Sequence, residues 1–124
     1  MTSRLKRRKS ARTKEVVRRD CPAHESWIRG FECSIPGCNF RLFDLPIECA
    51  HVRNSELTPP NERGGLGLKP HSKWTLPLCT WHHAELHRFG EAAFQKLHSI
   101  DLGIEAQNLA KQSPHKWRWA DETQ

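Results

Sequence analysis

No apolar run in these 124 residues is long enough to span a membrane or to form the core of a signal peptide. Apolar side chains make up only 36% of the chain and the mean hydropathy is −0.75. There is room for one modest core and tails, and not for a second domain of ordinary size. No internal repeat is present, so a stacked-repeat architecture is excluded. The five cysteines are odd in number, and no apolar run of signal-peptide length precedes them in this sequence. This favours metal-binding thiols in a reducing, intracellular setting over a secreted disulfide scaffold. A domain so small and polar needs such a metal or crosslink to complete its stability.

The positive charge is unevenly placed. Residues 1–20 hold nine Lys and Arg against Glu15 and Asp20, a net of +7, whereas the remainder carries −1. The basicity therefore belongs to an arm that reads as disordered or loosely helical and includes Arg7 and Arg8, and not to the expected domain at 21–112. Such an arm fits salt-dependent binding to phosphates, and equally a solvated terminus that aids solubility. Residues 113–124 form a polar tail containing Trp117 and Trp119.

Along the domain, Trp27, Ile28 and Phe31 give a short helical period ending near Gly30, and Cys33-Ser-Ile-Pro-Gly-Cys38 reads as a knuckle turned by Pro36 and Gly37. Segments 40–43 and 47–52 read as extended, with Cys49, His51 and Arg53 on one face and Glu48, Ala50 and Val52 on the other. Residues 54–72 are a long loop rich in Pro and Gly, a length that usually signals function. A strand follows at 74–78, then a helix that Thr80 would cap and Gly90 would end, then helical stretches over 92–100 and 104–111. The expected fold is α+β.

The densest chemistry lies between Cys79 and His87. Cys79 and His82 have the spacing of half a zinc site, and Cys33 and Cys38 supply a second pair. Two ligand-spaced pairs favour a structural zinc over a set of small buried thiols. Cys49, in its strand, is expected to be a core thiol, and Cys21 is structural or free. His83 and His87 lie one helical turn apart and can share a cation. The zinc protease motif His-Glu-x-x-His is excluded, because Ala84 stands where its glutamate must be and Glu85 points about 100° further round the helix. His51, on a strand before the long loop, is a candidate general base, since neutral imidazole accepts protons near pH 7.

In this order the residues resemble the HNH, or ββα-metal (His-Me finger), endonuclease family. The likeness rests on Cys33 and Cys38, Glu48-Cys-Ala-His-Val-Arg53, Gly67-x-Lys69-Pro70 and Trp74-x-Leu-Pro-Leu-Cys79-x-x-His-His83-x-x-x-His87. It covers roughly residues 22–110, with the nearest likeness to small phage and prophage HNH endonucleases. The resemblance implies a small ββα-metal core with a zinc-knuckle clamp and additional C-terminal helices. It implies His51 as general base and His83 and His87 as ligands of a catalytic Mg²⁺, Mn²⁺ or Ni²⁺ ion, with Cys33, Cys38, Cys79 and His82 on a structural Zn²⁺. Arg53 and Lys69, flanking the loop, are candidates for phosphate contacts.

Two positions depart from the family pattern. Ala50 stands where many members place a metal ligand, and Trp74 where they place an asparagine that steadies the loop. Glu48 and His71 are further candidates to help hold the ion.

The function expected is one-metal hydrolysis of a DNA phosphodiester, with duplex DNA as partner, no membrane association, and the cytoplasm of a bacterial host as location. The alternatives are a weakly active or inactive zinc-stabilised DNA-binding module and a metal-clamped interaction protein.

Overall fold

The computed structural model describes residues 20–63, 70–116 and 119, so Arg7, Arg8 and Lys69 lie outside the described residues. Helix α1 (Pro22–Ile28) comes first, then strand β1 (Ile47–His51), one 3-10 turn (Pro60–Glu62) and strand β2 (Thr75–Cys79). Three helices follow, α2 (Thr80–Phe89), α3 (Glu91–His98) and α4 (Leu102–Gln112). This is a small α+β structure. Its two strands form one antiparallel sheet, with Ile47 opposite Cys79 and His51 opposite Thr75. Val52 N donates to the Trp74 carbonyl at 2.8 Å and carries the pairing one step further.

An isolated two-stranded sheet is marginal in water, so the helices that cover this one make it stable. Side chains alternate along β1, which sends Ala50 and, just past the strand, Val52 inward. There they meet Trp74, Leu76 and Leu78 from β2 and its approach, Leu86 of α2, Phe94 of α3, and Leu102 and Ala106 of α4. Every residue of β2 is buried. Pro77 is tolerated within it because a two-stranded sheet has only edge strands. The Pro77 carbonyl accepts Ser34 N at 2.9 Å, which docks the cysteine loop on the strand.

Several boundaries differ from the sequence reading for identifiable reasons. Cys79, not Thr80, caps α2: its Sγ accepts from His82 N, whereas Thr80 is already the first helical residue and spends its N–H on the Pro46 carbonyl at 3.0 Å. The expected extended segment at 40–43 is a turn closed by Leu45 N on the Phe40 carbonyl at 2.9 Å. No strand pairs with it among the described residues. α4 begins at Leu102 because Asp101 caps it, accepting from Ile104 N at 3.0 Å. Gly90 does end α2, as expected, and its φ of 85° lets α3 start at once in a new direction.

The chain beyond α4 also packs on the domain. Trp119 is buried and lies edge-on to both His24 and His71. His24 is fully buried, with Nδ1 bonded to Ser113 Oγ at 2.8 Å and no hydrogen-bond partner for Nε2. Burial, followed by repulsion from His115 and His71, pushes its pKa from 6.5 down to about 4. An unfolded chain therefore takes up this proton near pH 6.5, and the folded chain not until about 4. The stabilisation is full above the first value and lost as pH falls towards the second. With zinc in excess, the melting temperature of the wild type should fall more steeply between about pH 7 and 4.5 than that of His24→Phe. Parallel slopes in thermal melts would exclude His24 as the source.

Candidate metal centres

The first centre is built where β2 runs directly into α2. Cys79 ends the strand and His82 follows in the first turn of the helix. The knuckle brings Cys33 and Cys38 to them, with Gly37 at a φ of 75° making the turn between. The four ligand atoms lie within 4.8 Å of one another. Zinc bonds of about 2.3 Å to sulfur and about 2.0–2.1 Å to nitrogen set tetrahedral edges near 3.8 Å for S–S and 3.6 Å for S–N. Here Cys38 and Cys79 sulfurs are 3.8 Å apart, and His82 Nδ1 is 3.3, 3.4 and 3.6 Å from Cys79, Cys38 and Cys33. These four residues form a potential metal-binding group consistent with zinc, as their spacing predicted.

The electrostatics agree with that chemistry. Burial raises the Cys33 thiol, and burial followed by hydrogen bonding to Cys33 and Cys79 pushes Cys38 up to about 12. Burial, then repulsion from His98, lowers His82 against a raising effect of Glu85, which favours the neutral imidazole a metal needs. Thiols that hold protons this firmly give them up to a metal, so binding releases protons and weakens as pH falls. Behind His82, His98 stands edge-on with ring centres 5.2 Å apart, and its Nε2 is 2.5 Å from Glu85 Oε1. Glu85 is thus turned towards α3, in keeping with the exclusion of a protease arrangement.

The second centre is an open pocket of about 380 Å³ at the edge of β1, with His51, His83 and His87 in its wall. β1 contributes from both faces: Glu48 reaches α2, while Cys49 and His51 alternate to the opposite side. His83 Nδ1 lies 2.7 Å from Glu48 Oε1. A carboxylate only accepts, so Nδ1 carries a proton and the neutral ring presents its lone pair at Nε2. That Nε2 is 3.1 Å from His87 Nε2. Two nitrogens on one ion, with bonds of about 2.1 Å, reach this separation at an angle of about 95°. The pair can therefore hold a divalent cation on two sides, with Glu48 as the outer carboxylate that fixes the first ring.

Around them, Glu25 enters from α1, Arg29 from the C-cap one turn on, and Arg53 from the chain leaving β1. Glu91 of α3 anchors that exit by accepting Arg53 N and Asn54 N at 2.5 and 2.9 Å. His51 Nε2 is 3.6 Å from Glu25 Oε2. Cys49 is half-buried in the pocket wall instead of the core. His71 is elsewhere, packed on Trp119 and accepting Lys73 N at Nδ1. Trp74 donates from Nε1 to Glu62 at 2.8 Å, and Lys73 Nζ pairs with the other oxygen at 2.6 Å. The middle of the long loop is thereby tied to the approach of β2. Glu25, Arg29 and Glu62 escaped the sequence reading, because their only local signal was an i, i+4 charge pair and an acid in a loop.

One zinc per chain should copurify. Cys38→Ser and Cys79→Ser should abolish it and unfold the domain, since structural zinc contributes on the order of 10 kcal/mol, whereas Cys49→Ser should retain both. Metal analysis with thermal melting decides; unchanged zinc in Cys79→Ser would remove the assignment. No family model, curated protein or solved structure matches this chain.

Proposed function

We propose that this chain is a metal-dependent DNA endonuclease of the HNH type, with β1, β2 and α2 as its ββα-metal core. The observation that carries the reading is the convergence of His51 with the His83–His87 pair in one open pocket. His83 is already held by Glu48 in the tautomer a cation requires. A Mg²⁺, Mn²⁺ or Ni²⁺ ion bound by His83 and His87 would supply charge neutralisation at the scissile phosphate and its leaving oxygen.

The remaining work falls to side chains. His51 takes a proton from the attacking water. Arg53 and Arg29 sit where a phosphate entering the pocket would meet them. Trp74 fills the place of the family's asparagine, and its bond to Glu62 supports an equivalent loop-steadying role. The basic arm with Arg7 and Arg8, together with Lys69, adds affinity along a duplex in the cytoplasm of a bacterial host. Ala50 is fully buried and offers no ligand, which favours a second reading: a zinc-stabilised DNA-binding module with weak or no cleavage.

Plasmid incubated with Mg²⁺, Mn²⁺ or Ni²⁺ should be nicked or cut by the wild type. His51→Ala should be slower by about 100-fold or more with an unchanged melting temperature, and His83→Ala should also lose Mn²⁺ affinity. Equal cleavage by His51→Ala, or none by the wild type with any of the three ions, would overturn the proposal. Steeply salt-dependent DNA binding without cleavage would establish the second reading.

A further inference from the structure

Glu25 stands on α1, outside the hairpin and α2 that supply the pocket's histidines. Ser72 Oγ accepts Cys21 N at 2.8 Å and has one proton to give, which goes to Glu25 Oε2 at 2.6 Å, with Asp20 Oδ1 further off at 3.4 Å. The same Glu25 oxygen is 3.6 Å from His51 Nε2, with only 18% and 15% of the two side chains exposed. Little solvent screens this pair, so its electrostatic coupling is stronger than that of a surface pair.

The other acids nearby are committed elsewhere. Glu48 faces His83, Glu91 takes the Arg53 and Asn54 amides, and Glu62 takes Trp74 and Lys73. The charged and titratable groups sharing the pocket with His51 are Glu25 of α1, Arg29 at the end of that helix, Glu48 and Cys49 of β1, Arg53, and His83 and His87 of α2. Two guanidiniums oppose a further positive charge there, and Glu25 is the carboxylate placed against the ring that would acquire it.

We propose that Glu25 is the positioning residue of His51, a carboxylate clamped by Ser72 that orients the imidazole and stabilises the imidazolium formed when His51 accepts a proton. This rests on the endonuclease reading for its catalytic meaning, but not for the pairing itself. α1 is then part of the catalytic assembly, and the contact from Cys21 N through Ser72 to Glu25 links its first turn to the approach of β2.

The test is a ring-proton NMR titration of His51 in the zinc-loaded full-length protein, beside pH–rate profiles of plasmid cleavage in Mn²⁺. Glu25→Gln removes the charge but keeps an oxygen for Ser72. It should move the His51 midpoint down, shift the rising limb of the rate profile the same way, and lower the maximal rate by about tenfold or more, with zinc content and Mn²⁺ affinity retained. Ser72→Ala should produce smaller changes in the same directions, and it serves alone if Glu25→Gln does not fold. An unchanged His51 midpoint overturns the pairing whether or not the wild type cuts DNA. A shifted midpoint in a protein devoid of cleavage overturns the endonuclease reading and leaves the pairing standing.

Discussion

The structure depends on the absence of any loop between β2 and α2. Cys79 is the last residue of the strand, the cap of the helix and one of four clustered metal-ligating side chains. Because the backbone passes straight from extended to helical conformation there, the direction of α2 is fixed relative to the sheet. The knuckle is attached at the same point twice, through Cys33 and Cys38 beside Cys79 and through Ser34 on the Pro77 carbonyl. A core this small could not by itself hold a two-stranded sheet and four short helices in register. A metal at this junction would join the three elements that the apolar contacts leave weakly coupled.

That junction also separates two adjacent histidines. His82 and His83 differ by about 100° around α2, so one turns towards the knuckle and the other towards the edge of β1. His82 meets sulfur, and its burial, then repulsion from His98, favours the neutral ring against the pull of Glu85. His83 meets the Glu48 carboxylate on one nitrogen and His87 on the other. The first environment is closed and rich in thiols. The second is open and rimmed by Arg29 and Arg53, a charge that suits the phosphate substrate proposed for it. One helix thus lends side chains to a potential structural metal group and to a proposed catalytic one, and its rotation about its own axis decides which is which.

Much of this was legible locally. The helical period of His83 and His87, the ligand spacing of the two cysteine-containing pairs, the alternation of β1 and the stop at Gly90 all follow from backbone geometry acting over a few residues. Where local reading failed, a longer-range contact had intervened. Thr80 lies one position inside the helix with its amide on the Pro46 carbonyl, residues 40–43 found no strand to pair with, and Cys49 faces the pocket wall because the core took the face of Ala50 and Val52.

The sequence by itself determined which side chains are candidate metal ligands and on which elements they ride, since the spacing of such residues along a helix or strand is set by the repeat of that element. Only the tertiary structure decided who stands next to them. Glu48 beside His83, Glu25 beside His51, and Glu62 holding Trp74 are separated in sequence by 35, 26 and 12 positions. A carboxylate carries no periodic signature of its partner. Its role is fixed by the packing of α1 and the long loop against the sheet, which brings it within hydrogen-bonding or ion-pairing reach.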